Sequence, residues 1–230
     1  MLTPASIRTV RLADPEAGMN HTSLPTVTSS VSRRPTVTAV LADGSQVQLR
    51  PVTPDDKPLL ADGFNRLSPR ARYLRFLAPA DRLSASQLAY LSEVDHRHHV
   101  AWGVLDGESA AAVGRWVRYD DDPSAADVAV TVLDAYQRRG IGRLLLEVLA
   151  VTARARGIGT FHFDVLAENE AMLALLASLG SVPTDGAEVA HHVLDVSRVV
   201  APRIVEGDLI GLLEDARRTS SSISPDPTPD

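Results

Sequence analysis

The 230-residue sequence contains no cysteine, which excludes a disulfide framework, a thiolate metal site and a cysteine nucleophile. It also contains no apolar run that approaches the roughly 18–20 residues of a membrane-spanning helix, so we expect no membrane partner. Lys and Arg together number 23 and Asp and Glu number 29, and the net charge of −6 argues against nucleic acid as the main partner. No apolar segment follows a basic start, so a secretory signal is not predicted and the expected location is cytoplasmic.

Composition predicts one folded domain between two tails. The start of the chain is rich in Thr, Ser, Pro and Ala without helical or strand periodicity, and the true start could be Met1 or Met19. The end is rich in Ser, Pro and Asp, a composition typical of disorder. One short helix is predicted from Ile204 to Arg218. The predicted segments are a disordered tail at 1–35, a folded domain at 36–200, a helical extension at 201–218 and a second disordered tail at 219–230.

Turn signals and apolar spacing predict the first half of the domain. Asp43-Gly44 and Asp106-Gly107 each separate two β-branched or apolar runs, which is a hairpin signal. Between these hairpins, helical spacing predicts three helices, which begin at Thr53 or Asp55, at Ser68-Pro69, and at Ser84 or Ser86. The first half is therefore predicted to hold paired strands on either side of a helical segment.

A strand with two unlike faces follows, from Asp127 to Leu133. Its alternation places Val128, Val130 and Val132 on one face and Asp127 with small side chains on the other. The spacing then predicts a helix over 141–156, a strand over 161–166, a helix over 169–179 and a strand over 189–196. Strands and helices that alternate after hairpins predict an α/β domain with a mixed central sheet and helices on both faces.

The stretch Gln137–Gly142 lies between that strand and the long helix, and it favours an anion site. Gly140 and Gly142 let backbone N–H groups approach a ligand closely, and the helix start adds unpaired N–H donors and the positive end of its dipole. Three arginines in or beside the loop add positive charge. A phosphate or diphosphate is the ligand that suits such a loop best.

This stretch lacks the third glycine of the dinucleotide pattern and the Gly-Lys-Ser/Thr of the P-loop, but it matches Gln/Arg-x-x-Gly-x-Gly/Ala. It resembles motif A of the GNAT superfamily of N-acetyltransferases, where this loop holds the pyrophosphate of coenzyme A. In that family the next helix commonly begins with an Asn, as at Asn169, and commonly ends in a Leu-Gly pair, as at Leu179-Gly180. The resemblance implies acetyl-CoA as co-substrate, and it implies no metal.

Further segments are similar to the acetyltransferase domain of bacterial Pat-type protein lysine acetyltransferases. They are Leu67-Ser68-Pro69, Arg72-Tyr73-Leu74-Arg75-Phe76, Val94-Asp95-His96, Val113-Gly114-Arg115 and Asp134-Ala135-Tyr136-Gln137. The resemblance covers about residues 37–197 and implies the GNAT fold, whose mixed sheet contains a splayed strand pair. It implies an acyl-CoA-dependent N-acetyltransferase that acts on a primary amine, with a protein lysine as the first choice. The alternatives are a small amine as acceptor, or an acyl-CoA-binding sensor or partner module without efficient turnover.

The resemblance also assigns site residues. In Pat-like proteins a Glu on the splayed strand takes the proton of the amine, and the matching residue here is Asp127, which is one methylene shorter. The other interpretation of Asp127 is a cap on the loop 120–123. A backbone N–H of the splay, in residues 130–133, polarises the thioester carbonyl. The residues assigned to cofactor binding are Val130, Thr131, Val132, Leu133, Gln137, Arg138, Arg139, Gly140, Ile141, Gly142, Arg143, Asn169 and Met172.

Two residues depart from the family's pattern. Many members carry a Tyr on the last helix as general acid, and the equivalent residue here is Leu176. Ser181 replaces the usual aromatic residue after Leu-Gly. The loss of the acid is tolerable because a thiol with a pKa of about 8.5 leaves readily as the thiolate. The run Asp95–His99 fits no zinc-binding spacing, and a solvated loop is the preferred interpretation.

Overall fold

The computed structural model describes residues 35–77, 81–184, 188–202, 204–206 and 208–221, so the predicted tails lie outside the described residues except at their inner edges. The strands are β1 (Val37–Val40), β2 (Gln46–Pro51), β3 (His99–Asp106), β4 (Ser109–Arg118), β5 (Ala125–Val132), β6 (Thr160–Leu166), β7 (Val182–Pro183), β8 (Val189–Asp195) and β9 (Ile204–Glu206). The helices are α1 (Lys57–Arg66), α2 (Pro69–Phe76), α3 (Ala85–Ser92), α4 (Ile141–Arg154), α5 (Glu170–Ser178) and α6 (Leu209–Ser221).

One sheet contains all the strands of the described ranges, in the order β7-β8-β6-β5-β4-β3-β2-β1-β9. Its neighbouring strands are antiparallel except β5 and β6, which run parallel. The prediction of a mixed sheet is therefore confirmed. No helix within the described ranges has both the length and the apolar character needed to cross a bilayer.

Helices cover both faces of the sheet, as predicted. Apolar side chains of α4, α5 and α6 join the strands in the larger core, where Trp116 and Leu145 are fully buried. On the other face, α1 and α2 form a smaller cluster through Phe64 and Phe76, which pack against Leu133. The rings of Phe64 and Phe76 meet edge to face with centroids 5.5 Å apart. The sheet is thus the middle layer of three.

The predicted starts of α2 and α3 are confirmed by their caps. The Ser68 hydroxyl accepts a hydrogen bond from the Ala71 N–H at 3.2 Å, and the Ser84 hydroxyl accepts one from the Gln87 N–H at 3.2 Å. Each bond satisfies one of the backbone donors that a helix start leaves unpaired. Pro69 occupies the first position of α2, where its missing N–H removes no helical bond.

The predicted single helix from Ile204 to Arg218 is wrong at its start. The chain first forms β9, which pairs antiparallel with β1 through Ala39 opposite Ile204, and the helix then runs from Leu209 to Ser221. Without β9, the outer backbone groups of β1 would form an exposed sheet edge. The pairing joins residues more than 160 positions apart, so local spacing could not indicate it.

The strands β5 and β6 separate soon after they pair. Their parallel pairing holds three residue pairs, and the last of these is Asp127 opposite His162. Beyond that point β5 stays paired with β4 as far as Val132, while β6 stays paired with β8 as far as Leu166. The two strands therefore diverge and leave a wedge-shaped opening in the sheet. This opening confirms the splayed strand pair that the resemblance implies.

Candidate active site

The backbone groups of β5 that face the opening follow from the alternation of the strand. The Leu133 N–H donates to the Ala111 carbonyl on the β4 side, with an N···O distance of 3.0 Å. Backbone groups alternate sides along a strand, so those of Val132 and Val130 point away from β4 and toward the opening. The Val132 carbonyl there accepts a hydrogen bond from Nε2 of Gln137 at 3.2 Å. The N–H of Val130 is thus a donor that faces the opening.

The loop after β5 leads into α4 through a glycine in the left-handed region. Gly140 is the N-cap residue and has a φ of 85°, which disfavours any residue with a Cβ. At Gly142 the space is limited for a different reason, because a Cβ there would lie 3.4 Å from Cδ2 of Leu175 on α5, at the short end of van der Waals contact. Since Gly140 has no side chain to cap the helix, the first N–H groups of α4 remain available to a ligand.

A carboxylate joins this loop to the start of α2. Asp134 accepts hydrogen bonds from the Ser68 N–H at 2.9 Å and from Nε2 of Gln137 at 3.3 Å. Because Gln137 also bonds the Val132 carbonyl, one amide side chain ties the end of β5 to the loop. The loop is therefore held by side chains on both flanks before any ligand binds.

The three arginines near the loop have different surroundings. Arg139 donates to Asp43 at 3.1 Å and to Ser45 at 2.8 Å, so its guanidinium is bound to the β1–β2 hairpin. Arg143 donates to a glutamate one turn further along α4 at 2.9 Å. Arg138 is exposed, and the described part of the chain gives its guanidinium no hydrogen-bond or ion-pair partner. Of the three, Arg138 is the one whose charge is left for a ligand.

A cleft of about 510 Å³ lies between the diverging strands, within the size range of small-molecule sites. The predicted cofactor residues that line it are Val130, Thr131, Val132, Gln137, Arg138, Gly140, Ile141, Gly142, Arg143, Asn169 and Met172. The structure places the other two elsewhere. Leu133 packs into the cluster of Phe64 and Phe76, and Arg139 turns toward the hairpin. Asn169 is also the N-cap of α5, where its Oδ1 accepts the Met172 N–H at 3.2 Å.

Asp127 lies where the pairing of β5 with β6 ends. Burial raises the pKa of its carboxyl to about 6, while the positive charge of Arg75 opposes that rise and the negative charge of Asp164 adds to it. A carboxyl with such a pKa can both take up and release a proton near neutrality. Among the described residues that line the cleft, Ala129 and Thr131 follow Asp127 on the same strand face. Asp127 precedes Ala129 by one strand repeat on the same face, and it is not itself among the residues that line the cleft.

The structure gives the loop before β5 a different cap from Asp127. The carboxylate of Asp122 accepts the Ser124 N–H at 2.9 Å and the Ser124 hydroxyl at 2.6 Å. The residue that caps this loop is therefore Asp122. The carboxylate of Asp127 lies on the strand face that Ala129 and Thr131 share.

Sequence reasoning missed a group of polar side chains beside Asp127. Asp164 on β6 lines the cleft and bonds His191 on β8, which in turn bonds His162 on β6. Arg75 on α2 lines the cleft from the opposite wall. A signal was present in β6, where His162 and Asp164 alternate with apolar residues and therefore share one face of the sheet.

The family to which the chain belongs is decided by comparison with known proteins. A family model described as the acetyltransferase (GNAT) family matches residues 64–180, which include β5, the glycine loop and α5. The chain belongs to the GNAT family of acetyltransferases. The resemblance to this family that the loop motif carries is therefore confirmed.

Two GNAT relatives illustrate the similarity. The acetyltransferase Pat of Mycolicibacterium smegmatis is 36% identical over 141 residues, which are 60% of this chain but only 42% of that protein. The acetyltransferase PA5475 of Pseudomonas aeruginosa is 31% identical over 160 residues, which are 66% of this chain and 86% of that protein. This chain therefore spans less than half the length of the Pat relative.

Solved structures of GNAT proteins share the fold. The GNAT domain of S. lividans PAT has a TM-score of 0.67 at 31% identity, covering 70% of this chain and 96% of that chain. A cAMP-binding acyltransferase from Mycobacterium smegmatis has a TM-score of 0.56 at 31% identity, covering 81% of this chain and 54% of that chain. The predicted GNAT fold and the resemblance to Pat-type domains are confirmed.

Among the described residues, those of α5 that line the cleft include no acid for a departing thiol. The family pattern pointed to Leu176, but the structure buries Leu176 fully in the larger core. Its neighbour Leu175 is the residue that lines the cleft. The α5 residues that line the cleft are Ala171, Met172, Ala174 and Leu175. None of these side chains carries an ionisable proton. The position that faces the cleft is therefore not the one that the family pattern indicates, but it too lacks an acid.

The histidine-rich run before β3 forms a loop that is held by hydrogen bonds to Asp95. Asp95 accepts the backbone N–H groups of Arg97, His98 and His99 at 2.8 to 2.9 Å, and His96 is fully buried. Within the described ranges, no three His, Asp or Glu side chains are grouped so that they could hold a metal ion.

Proposed function

We propose that this chain transfers the acetyl group of acetyl-CoA to the side-chain amine of a protein lysine. The observation that carries the proposal is that β5 leaves β6 directly after Asp127. The N–H of Val130 and the glycine loop thereby lie along one cleft, and a carboxyl with a near-neutral pKa lies one strand repeat behind the cleft lining. These are the three elements that a direct acetyl transfer needs: a base, an oxyanion donor and an anchor for the donor molecule.

The donor side of the cleft suits acetyl-CoA. The first turn of α4 offers backbone N–H groups and the positive end of the helix dipole to a diphosphate, and Arg138 adds an exposed positive charge. Between this loop and the opening, the cleft wall is apolar, with Val130, Val132 and Met172 among its residues. Such a wall suits an uncharged arm that joins the diphosphate to the thioester.

The acceptor amine must lose a proton before it can attack, because a free lysine has a pKa of about 10.4. Asp127, with a pKa of about 6, is mainly ionised at pH 7 and takes that proton. The small side chains of Ala129 and Thr131 leave room for a water molecule between the carboxylate and the amine. The amine nitrogen then attacks the thioester carbon, and the N–H of Val130 stabilises the negative oxygen. The C–S bond breaks and the thiolate leaves without an acid, in keeping with a thiol pKa of about 8.5.

The acceptor side favours a cationic segment of a protein. The sheet face beyond α2 carries His162, Asp164 and His191, all partly exposed. The carboxylates of Asp121 and Asp122 are exposed in the nearby turn. Such a negative, open surface attracts an ammonium group and leaves space for its backbone. The resemblance to Pat-type protein lysine acetyltransferases points to the same acceptor.

The proposal is tested with isotope-labelled acetyl-CoA and a bacterial lysate separated into protein and small-molecule fractions. We expect label on lysine side chains of the protein fraction. Label confined to the small-molecule fraction would replace the protein acceptor by a small amine. Acetyl-CoA binding without label in either fraction would overturn turnover and favour a sensor.

Two matched variants decide whether Asp127 is the base. Asp127→Asn should lower the transfer rate by about 10²-fold or more while the Kd of acetyl-CoA stays unchanged, because the amide cannot take the proton. Asp106→Asn makes the same chemical change on an exposed hairpin residue that does not line the cleft, and it should retain the wild-type rate. Equal rates in all three proteins would remove Asp127 from the mechanism.

A further inference from the structure

A chain of hydrogen bonds crosses the open face of the sheet beside Asp127. Nδ1 of His191 on β8 lies 2.9 Å from Oδ1 of Asp164 on β6, and Nε2 of the same ring lies 2.9 Å from Nδ1 of His162. The two imidazole centroids are 5.1 Å apart, and Tyr119 packs edge-on against His162 with centroids 5.3 Å apart. Side chains from two strands therefore form one connected path.

The donors and acceptors of this path have one consistent neutral assignment. The carboxylate of Asp164 can only accept, so Nδ1 of His191 carries the proton and its Nε2 is an acceptor. Nδ1 of His162 must then donate to that acceptor, which leaves Nε2 of His162 as the ring atom able to take up a further proton. Burial and the neighbouring His191 lower the pKa of His162, so its imidazole is neutral at pH 7.

The path begins beside the proposed base and ends at solvent. His162 is the residue opposite Asp127 in the parallel pairing, and the two side chains share one face of the sheet. At the other end, 30% of the Asp164 side chain and 31% of the His191 side chain are exposed. The charged and titratable groups that face the path are Arg75 on α2, Tyr119 after β4, Asp121 and Asp122 in the following turn, and Asp127 on β5.

We propose that His162, His191 and Asp164 form a proton relay that carries the acceptor's proton from Asp127 to solvent. This inference rests on the proposed function. When an ammonium acceptor is acetylated, an amide C–N bond forms and the thioester C–S bond breaks; one proton ends on the CoA thiolate and one must leave the site.

The departing proton takes two steps along the path. It passes from Asp127 to Nε2 of His162, and the Nδ1 proton of His162 moves to Nε2 of His191. The positive charge then resides on the His191 imidazolium, which the carboxylate of Asp164 neutralises until water removes the proton. Because the three residues act through Asp127, they are positioning residues, and the test needs readouts that a purely structural role leaves unchanged.

The first test examines the hydrogen-bond assignment in the free protein. Long-range proton–nitrogen correlation spectra at pH 8 distinguish a protonated ring nitrogen from a bare one, and His162→Asn and His191→Asn assign the signals. We expect the proton on Nδ1 and a bare Nε2 in both rings. A proton on Nε2 of His162 would overturn the relay, because the entry atom would then be occupied.

The second test measures turnover with labelled acetyl-CoA and the protein fraction of a lysate as acceptor. In His162→Asn the amide nitrogen keeps a donor toward His191 but cannot take up a proton, so kcat should fall by at least about tenfold with an unchanged KM for acetyl-CoA. Imidazole added to the buffer should restore part of the rate of His162→Ala in proportion to its concentration. His98→Asn removes an exposed histidine of the loop before β3 and should retain the wild-type rate.

The outcomes separate the relay from the proposed function. An active wild type with an unchanged rate in His162→Asn would overturn the relay alone. A lower rate in His162→Ala that imidazole does not raise would also overturn it, because the loss would then be structural. A wild type without turnover would overturn the proposed function and the relay's role with it.

Discussion

The two halves of the sheet differ in how completely their strands pair. On one side, β3 and β4 pair over eight residue pairs from His99 to Asp106. On the other side, β5 and β6 pair over only three before they diverge. We call β1–β4 the closed half and β5–β8 the open half. The closed half satisfies its backbone groups within the sheet, whereas the open half leaves strand N–H groups to a ligand.

Burial disfavours the charged form of titratable groups throughout the sheet, so it shifts the pKa values of imidazoles and of carboxyls in opposite directions. In the closed half it lowers the pKa of His96 to about 4 and that of His99 to about 3, so both imidazoles stay neutral across the physiological range. In the open half it raises the pKa of Asp127 to about 6, which brings this carboxyl toward the range in which protons are exchanged. The same physical effect thus keeps the buried imidazoles neutral and brings the carboxyl of Asp127 closer to neutrality.

The largest contrast is expected in stability. Trp116 on β4 is fully buried, and its Nε1 donates to Oγ1 of Thr152 at 3.2 Å. Trp116→Ala should lower the free energy of unfolding by about 3–5 kcal/mol, since it removes a large core side chain and leaves a cavity. Val130→Ala in the open half, where the side chain is partly exposed, should lower it by about 1 kcal/mol. Urea unfolding measures both, and equal losses would contradict the division into halves.

The second contrast is a substitution that lowers activity and raises stability. The carboxyl of Asp127 has a pKa of about 6 in the folded protein against 3.8 for an aspartate exposed to water, so the folded state favours the protonated form. The stability this provides is present below pH 3.8 and is lost as the pH rises through 6. Asp127→Asn removes the loss, and it should raise the free energy of unfolding by about 1–3 kcal/mol at pH 8.

The pH dependence is the decisive part of that prediction. At pH 3.5 the carboxyl is protonated in the folded state and mainly protonated in the unfolded state, so Asp127→Asn and the wild type should unfold at nearly the same urea concentration. Asp106→Asn is the matched control at both pH values. A variant that is less stable than the wild type at pH 8 would show that Asp127 contributes to stability as an ion, contrary to the argument from burial.

The third contrast compares two glycines of similar conformation. Gly140 in the open half has a φ of 85° and Gly107 in the closed half has a φ of 61°. Ala at either position should destabilise the fold by about 1–2 kcal/mol because of the left-handed backbone. Only Gly140→Ala should also weaken acetyl-CoA binding, by about tenfold, since the strain displaces the N–H groups of the first turn of α4. Calorimetric titration decides, and equal Kd values in both variants would remove the loop from the binding site.

Local chemistry made much of this domain predictable. The caps at Ser68 and Ser84, the hairpin at Asp106-Gly107 and the glycine loop before α4 each depend on neighbouring residues, and the structure contains all of them. The two faces of β5 also follow from alternation alone. The fold class and the line of the cleft could therefore be predicted from the sequence.

The group of polar side chains beside Asp127 could not be predicted in the same way. His162 and His191 are 29 residues apart and meet only because of the register between β6 and β8. The phase of α5 was equally hidden, because the apolar run around Leu175 and Leu176 gives either residue a place in the core. The strand β9 forms only because it pairs with β1, which lies near the start of the described chain. Each miss concerns a long-range contact that local spacing does not encode.

The smallest expected effect separates two adjacent arginines that the sequence treats alike. Arg139 is bound to Asp43 and Ser45 of the closed half, whereas Arg138 is exposed beside the open half. Arg138→Gln should raise the Kd of acetyl-CoA by about three- to tenfold, the size of one charge-assisted hydrogen bond weakened by solvent. Arg139→Gln should change it by less than about twofold, because its guanidinium does not face the cleft. Titration at low and at high salt measures both, and a salt-sensitive loss in Arg139→Gln larger than that in Arg138→Gln would show that Arg139 leaves the hairpin when the cofactor binds.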